Sequence, residues 1–386
     1  MSNTILTPSL VVKEALMVLR NNLVAGQVVY RDHEIEWQRG VTKPGDTVKI
    51  RKPASFESKD FNAGTGVEIQ NLTESSIDLV VEKYKDISLE VTSKEWTLSL
   101  NEFSERVIYP VMVAHAQAID EFILSKYIQI PNFIGNATVE PWALADIAQP
   151  RMKLQKQKVP QDMRRFLICP ETEAEFLTLD AIVNAEKSGT TQALRDANLG
   201  RLMGLDIYGT QNAPIHIPGT FAAFTDATVG NASAGATQVT ITKAAGGTET
   251  LKAGDLFTIA GQTTQYVVTA DATAASGVIT ASIYPALSVN VSGSPVATFA
   301  YKAGGYRNNL AFHRNAIAAV IVPLELPKGA TQAEIINFEG IGVRVVYSYD
   351  SKYKKDVISF DFLMGAKVIQ PELALRQVGA VAAKPS

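Results

Sequence analysis

The residues able to do chemistry in this chain are few and scattered. Its four histidines, His33, His115, His216 and His313, fall in four different segments, and none has a second histidine at the short spacing that a metal site uses. His115 lies in a long helical pattern and reads as packed or half-exposed rather than as a base. The only cysteine, Cys169, closes the apolar run Phe166-Leu167-Ile168 ahead of Pro170. A buried strand thiol is the expectation, since free cysteine packs as a small hydrophobe and no base stands beside it in the sequence. Acidic pairs such as Asp120-Glu121, or Glu171 with Glu173, are expected at helix starts or on solvated faces. Gly64-Thr65-Gly66 is too short for a dinucleotide fingerprint, and neither a Walker loop nor a Gly-x-Ser-x-Gly elbow occurs. Phe221, Phe224 and Tyr284 could stack bases, but no arginine or lysine is interleaved with them, so they read as core or surface apolar residues. The sequence therefore predicts no catalytic residue, no cofactor and no metal.

The bulk composition agrees with a structural role. The chain has 386 residues, 46% hydrophobic and 19% charged, which suits a folded protein of two or three domains. Its 36 basic and 39 acidic residues give a formal charge of -3, so no dedicated nucleic-acid binder is indicated. One cysteine excludes an intrachain disulfide framework and points to a reducing compartment. The stretch from Ile5 to Leu19 is broken by Lys13 and Glu14 and does not read as a signal peptide. No unbroken apolar run of ~18 residues suggests a membrane span.

The elements follow from periodicity. Thr7-Pro8 opens a helix whose apolar face includes Leu10, Val11, Leu16 and Leu19, with Gly26 as its expected stop. Extended chain follows at Val28-Val29-Tyr30. Lys43-Pro44-Gly45-Asp46 signals a turn before the strand Thr47–Arg51, and alternation returns at Ile77, Leu79 and Val81 and again at Ile87, Leu89 and Val91. Between them lies a polar, glycine-containing stretch, so a long two-stranded excursion is expected with its tip near Gly64. Such a hairpin buries too little to stand alone and should lean on a neighbour. Leu100 to Gln129 gives the strongest helical signal, interrupted at Pro110, which must kink the helix or begin its second half.

Beyond Pro141 the pattern is mixed. Helices are expected at Leu144–Gln157, Glu171–Ala185 and Thr191–Asn198, with strands at Arg165–Cys169 and Leu205–Tyr208. Between His216 and Gly304 there are three lysines, four acidic residues and no arginine in 89 positions, about 8% charged against 19% overall. Short alternating runs at 238–242, 256–260, 266–269, 277–283 and 297–301 predict a small inserted β-barrel or sandwich. A helix-bearing pattern is expected to resume at Asn308, and strands at 341–349, 357–363 and 366–369 close the chain.

This order resembles the Hong Kong 97 fold of tailed-phage capsid proteins, in the Salmonella-phage coat-protein type that carries an insertion. The resemblance rests on Lys43 to Val48 with Arg51-Lys52-Pro53, on Leu100 to Ser104, on Asp206-Ile207-Tyr208 with Gln211 to Pro214, and on Gly254 to Gly261 with Gln265 to Thr269. Asn309 to Arg314 and Gln370 to Ala374 extend it over nearly the whole chain. It implies an α+β subunit made of an N-terminal arm (1–40), an extended loop with flanking strands (41–96) and a peripheral domain with a spine helix (97–138). An axial domain (139–215 and 306–340), an inserted β-barrel domain (216–305) and peripheral closing strands (341–386) complete it.

The resemblance implies self-assembly as hexamers and pentamers into an icosahedral virion shell around double-stranded DNA bound without sequence specificity. It also implies a separate scaffolding protein, a portal, an optional decoration protein, assembly in the bacterial host cytoplasm and no membrane. The expected inter-subunit contacts are Leu10, Val11, Leu19, Phe56, Phe61, Gly64 and Gly66, with Pro110 as the spine-helix hinge. Lysine–asparagine cross-links occur in some relatives, for which Lys59 in the loop would be the candidate. An encapsulin-like nanocompartment and a β-rich carbohydrate-binding or adhesin module are the competing readings.

Overall fold

In a computed structural model of the chain, the described residues are 8–31, 45, 47–51, 76–91, 104–135, 142–184, 197, 199–223, 225–243, 247–301, 304–327, 332–338, 341–350 and 355–380. The expected hairpin tip with Phe56, Phe61, Gly64 and Gly66, and likewise Lys59, Phe224 and His33, lies outside them, as does all of the expected helix 191–198 except Ala197. The chain divides into two compact units. One comprises 1–21, 31–115 and 319–367, the other 22–30, 116–318 and 368–386.

In the first unit, the helix Pro8–Asn22 forms where the sequence places it. Its periodic residues Val11, Val12, Ala15 and Leu19 are fully buried, and Leu16 and Val18 nearly so. Val11 and Leu19 are thus buried within one copy of the chain. The side chain of Leu10 is outside the described set. Strands Thr47–Arg51 and Ser76–Val80 pair antiparallel from Thr47 opposite Val80 to Arg51 opposite Ser76, which forms the stem of the expected two-stranded excursion. Gly45 opens that stem with φ +94°, a left-handed conformation that glycine adopts without strain, and donates its N–H to the Val81 carbonyl.

The main sheet of this unit has five strands, in the order Gln332–Phe338, Ile341–Asp350, Ile317–Val322, Lys355–Val368 and Lys83–Val91. Lys355–Val368 is one 14-residue strand where the sequence suggested two shorter ones. Gly365 explains the false break. A Cβ there would come within 2.5 Å of the Val80 carbonyl oxygen, so glycine marks a close approach of two backbones rather than a turn.

The second unit contains a seven-stranded mixed sheet. Its main path runs Phe133–Gly135, Ala374–Ala380, Tyr306–His313, Arg164–Ile168, Leu205–Gly209 and Arg201–Leu202, and Ile215–His216 also pairs with Tyr306–His313. The helix expected at Asn308 is therefore a strand. Its residues Asn308 to His313 are all buried, and a run buried on both faces loses the alternation by which a strand is recognised. Helix Leu144–Lys156 forms as expected, while the second expected helix is split into Pro170–Phe176 and Asp180–Val183.

Strands Ala297–Phe299, Leu256–Ile259, Gln265–Val268, Val278–Tyr284, Gln238–Thr242 and Thr228–Val229 form a six-stranded antiparallel sheet in that order. Its two ends meet. Val229 donates its N–H to the Pro295 carbonyl at 2.9 Å and Ala297 donates to Ala227 at 2.8 Å, with a bridge between Thr228 and Val296. The ring closes over Phe221, Phe257, Tyr266, Ile279, Ile241 and Phe299. Alternate burial along Val278–Tyr284 follows from the pleat.

Candidate functional site

Three built features bear on function: a groove beside an edge strand, a carboxylate clamp and a buried polar cluster. The groove lies in the first unit. Helix Tyr109–Leu124 is preceded by one wide π-helical turn, Ser104–Ile108, and followed by a 3-10 turn, Ser125–Gln129. Pro110 is the second residue of the α-helical run and is exposed. It supplies no N–H, and the wider turn before it relieves the clash its ring would make with a regular preceding turn. Ile87, Leu89 and Glu90 of the edge strand, with Arg106, Val107, Pro110, Val111 and Ala114, line a cavity of about 370 Å³. The strand itself pairs only with Lys355–Val368 among the described residues, from Lys83 opposite Met364 to Val91 opposite Asp356. Among the described residues no strand pairs with its other edge, and the strand carries the charges Lys83, Lys85, Asp86 and Glu90.

Behind that strand, Asp361 is buried and collects Tyr84 Oη at 3.0 Å, Arg344 Nε at 2.8 Å and the second arm of the same guanidinium. His115 is buried as well, its Nε2 donating to the Phe360 carbonyl at 3.1 Å and its ring edge-on to Phe362 at 4.8 Å. Burial drives its pKa down to about 4, against the opposing pull of the Phe360 hydrogen bond and Asp361. The helical run Arg106–Gln129 is long and apolar enough to cross a bilayer, but half of its most apolar window is buried inside the chain.

The clamp belongs to the second unit. Asp120, expected at a helix start or on a solvated face, is only 1% exposed. Its two carboxylate oxygens accept the N–H groups of Val24 and Gly26, each at 2.8 Å. Burial pushes its pKa up, and the bonds from Val24, Gly26 and Ala25 pull it back. The clamp also corrects the role of Gly26. The first helix ends at Asn22, and Gly26 sits inside a second short helix, Ala25–Val28, whose free N–H groups Asp120 satisfies. A side chain 94 residues away does this capping, so no local signal could reveal it.

At the root of the six-stranded barrel lies the polar cluster. His216 Nε2 donates to Asp255 Oδ1 at 2.8 Å, and its Nδ1 shares a hydrogen bond with Tyr127 Oη at 2.9 Å. Asp255 Oδ2 accepts from the N–H groups of Gly219 and Lys252. Arg376, fully buried, donates to the carbonyls of Ile130 at 2.8 Å and Gly254 at 3.0 Å and stacks 5.4 Å from the Tyr127 ring. Tyr301 donates to Asn308 Oδ1 at 2.6 Å. A Tyr–His–Asp series has the connectivity of a proton relay, but His216 is 3% exposed and Asp255 0%, so it cannot touch a substrate. Its chemistry is cohesion.

Cys169 is buried, its thiol 3.0 Å from Thr172 Oγ1 and its N–H donating to Asn309 Oδ1, and burial pushes its pKa up. That is an inert packing thiol. Among the described residues no group of histidine, cysteine and carboxylate side chains could hold a metal. Tyr127, Asp255, Asn308 and Arg376 escaped the sequence reading because they lie in different elements far apart in the chain.

No protein-family model and no curated protein matches the chain. Solved structures do. A chain of Mycobacterium phage Che8 is 16% identical and superimposes with a TM-score of 0.50, covering 92% of this chain and 90% of that one. A chain from the capsid of the cyanophage P-SCSP1u matches at 9% identity and TM-score 0.44, over 89% of this chain and 86% of that one. One from the capsid of Ralstonia phage GP4 matches at 11% and 0.44, over 93% and 89%. At nearly full length on both sides, this chain shares its fold with the Mycobacterium phage Che8 chain.

Proposed function

We propose that the chain is the major capsid protein of a tailed double-stranded DNA bacteriophage, a non-enzymatic subunit of the Hong Kong 97 type. The fold shared with the mycobacteriophage chain over 92% of the sequence carries this reading. The position of Lys83–Val91 at the sheet edge among the described residues, and the apolar groove beside it, support it, since a strand edge and a groove are what a shell can fill with its own copies. The subunits assemble as hexamers and pentamers into the icosahedral virion shell, with a scaffolding protein, a portal and packaged DNA as partners. The closed barrel within 216–305 is an inserted domain that braces the subunit. The arm helix, through Leu10, Val11 and Leu19, and the extended loop, through Phe56, Phe61, Gly64 and Gly66, make the inter-subunit contacts. Each contact is modest, and closure makes their sum cooperative.

Electron microscopy of the expressed protein, with and without a scaffolding protein, tests the reading. Closed particles of uniform size are expected. A stable monomer that forms no particle under either condition overturns it.

A further inference from the structure

One end of the seven-stranded sheet gathers positive charge that nothing above uses. From Ile147 to Gln161 the chain has four cations, four glutamines and no acid, although its overall charge is -3. Arg151, Lys156 and Lys158 are exposed and Lys153 is half-buried, at the C-terminal half of helix Leu144–Lys156 and in the turn after it. The turn folds back through the Val159 N–H to the Leu154 carbonyl, and Lys158 takes φ +57°. Next, Arg164 opens a strand and spends its guanidinium on the carbonyls of Val159 and Pro160. Arg314 joins the same corner, its N–H bonded to the Met163 carbonyl.

Among the described residues, Asp206 is taken by Arg165 at 3.2 Å, and Asp162 acts on Arg164 and His313. The cations press on one another. Burial and Lys156 lower the pKa of Lys153, burial and Arg151 lower that of Arg164, and burial with Arg164 and Arg165 lowers that of His313 against Asp162. Lysines near a helix C-terminus are favoured by the helix dipole, which accounts for Lys153 and Lys156. It does not account for Arg151, for Lys158 beyond the helix, or for glutamine amides as their neighbours.

We infer that this corner, centred on Arg151, Lys153, Lys156 and Lys158, is a docking surface for the phosphate backbone of duplex DNA. The inference rests on the capsid reading, which puts such a polyanion inside the shell. Every long polar side chain from 147 to 161 can donate a hydrogen bond, and a phosphodiester backbone offers acceptors. An acidic amphipathic helix would also need an apolar groove, but Ile147 and Leu154, the apolar stripe of this helix, are consumed by the chain's own core. Met152 and Met163 are about half-exposed, which makes an acidic peptide the competing outcome. The contact is sequence-independent and weak, so a genome can be held and let go.

The test uses the full-length protein, a short mixed-sequence duplex and a polyglutamate peptide as probes, with binding read by fluorescence anisotropy over ~50 to 200 mM salt. A variant carrying R151Q, K156Q and K158Q changes only exposed side chains. Each cation that meets a phosphate adds ~0.9 to the slope of log affinity against log salt, so the variant should lose a slope of ~2 to 3 and bind the duplex at least ~10-fold more weakly at low salt. Equal affinity and slope in both proteins overturn the inference, as does binding to polyglutamate without binding to duplex. Electron microscopy of the same samples separates the two claims. Failure of the wild type to form particles removes the capsid reading, while a cation-dependent duplex affinity in that sample leaves the phosphate surface standing.

Discussion

His115 offers a quantitative test of the first unit's packing. Its imidazole is 1% exposed, and burial holds its pKa at about 4 against 6.5 for the free side chain. Because the folded value is the lower one, the unfolded chain takes up the proton first as pH falls. The stabilisation is complete above about pH 6.5 and is lost progressively as pH drops through the window down to about 4. A gap of about 2.5 units corresponds to about 3 kcal/mol once both states are protonated, and to about 2 kcal/mol at pH 5, where the unfolded side chain is charged and the folded one mostly neutral. His115→Gln keeps a donor for the Phe360 carbonyl and removes the titration. Urea unfolding at pH 7.5 and pH 5 should show the wild type losing about 2 kcal/mol more than the variant. Identical pH dependence in the two proteins, or an NMR titration midpoint for His115 above about 6, would refute the reasoning.

Other expectations follow from particular contacts. Asp120→Ala strips the acceptors from buried N–H groups at Val24 and Gly26 and should cost about 2 kcal/mol, seen as faster amide exchange confined to residues 22–30. Pro110→Ala lets the π turn revert to a regular helix, and particles of altered size or maturation are expected by electron microscopy; unchanged particles would remove the hinge role. Gly219→Ala would place a methyl 2.0 Å from the Thr250 carbonyl oxygen, so a melting temperature lowered by several degrees is expected, and an unshifted transition would show that the loop can yield. Cys169 should resist alkylation in the folded protein and react readily in urea.

Much of the fold was legible where burial is one-sided. Strands Gln238–Thr242 and Val278–Tyr284 are legible because a sheet with one face inward writes its pleat as alternation. Legibility failed where a strand is buried on both faces, as at Tyr306–His313, and at Lys355–Val368, where a glycine that serves close packing reads as a turn. The polar contacts were not legible at all. Asp120 pairs with residues 94 and 96 positions away and Arg376 with carbonyls 122 and 246 away, and neither leaves a periodic trace.

His216 and Tyr306 stand opposite each other as paired residues of two neighbouring strands. If the stretch from 217 to 305 is the inserted domain proposed above, it leaves and re-enters the sheet where an ordinary tight turn would do, and Leu256, Val267 and Tyr301 pack it against Phe133 and Val378. A lineage could gain, lose or exchange such an insertion without rethreading the sheet, and a foreign module with adjacent ends could be grafted there. The obstacle is the plug rather than the doorway. Asp255 and the Gly254 carbonyl come with the barrel, and a graft that omitted them would strand His216 and Arg376 in a dry interior. A successful transplant would have to bring an acceptor for each, or arrive with both residues already replaced by apolar ones.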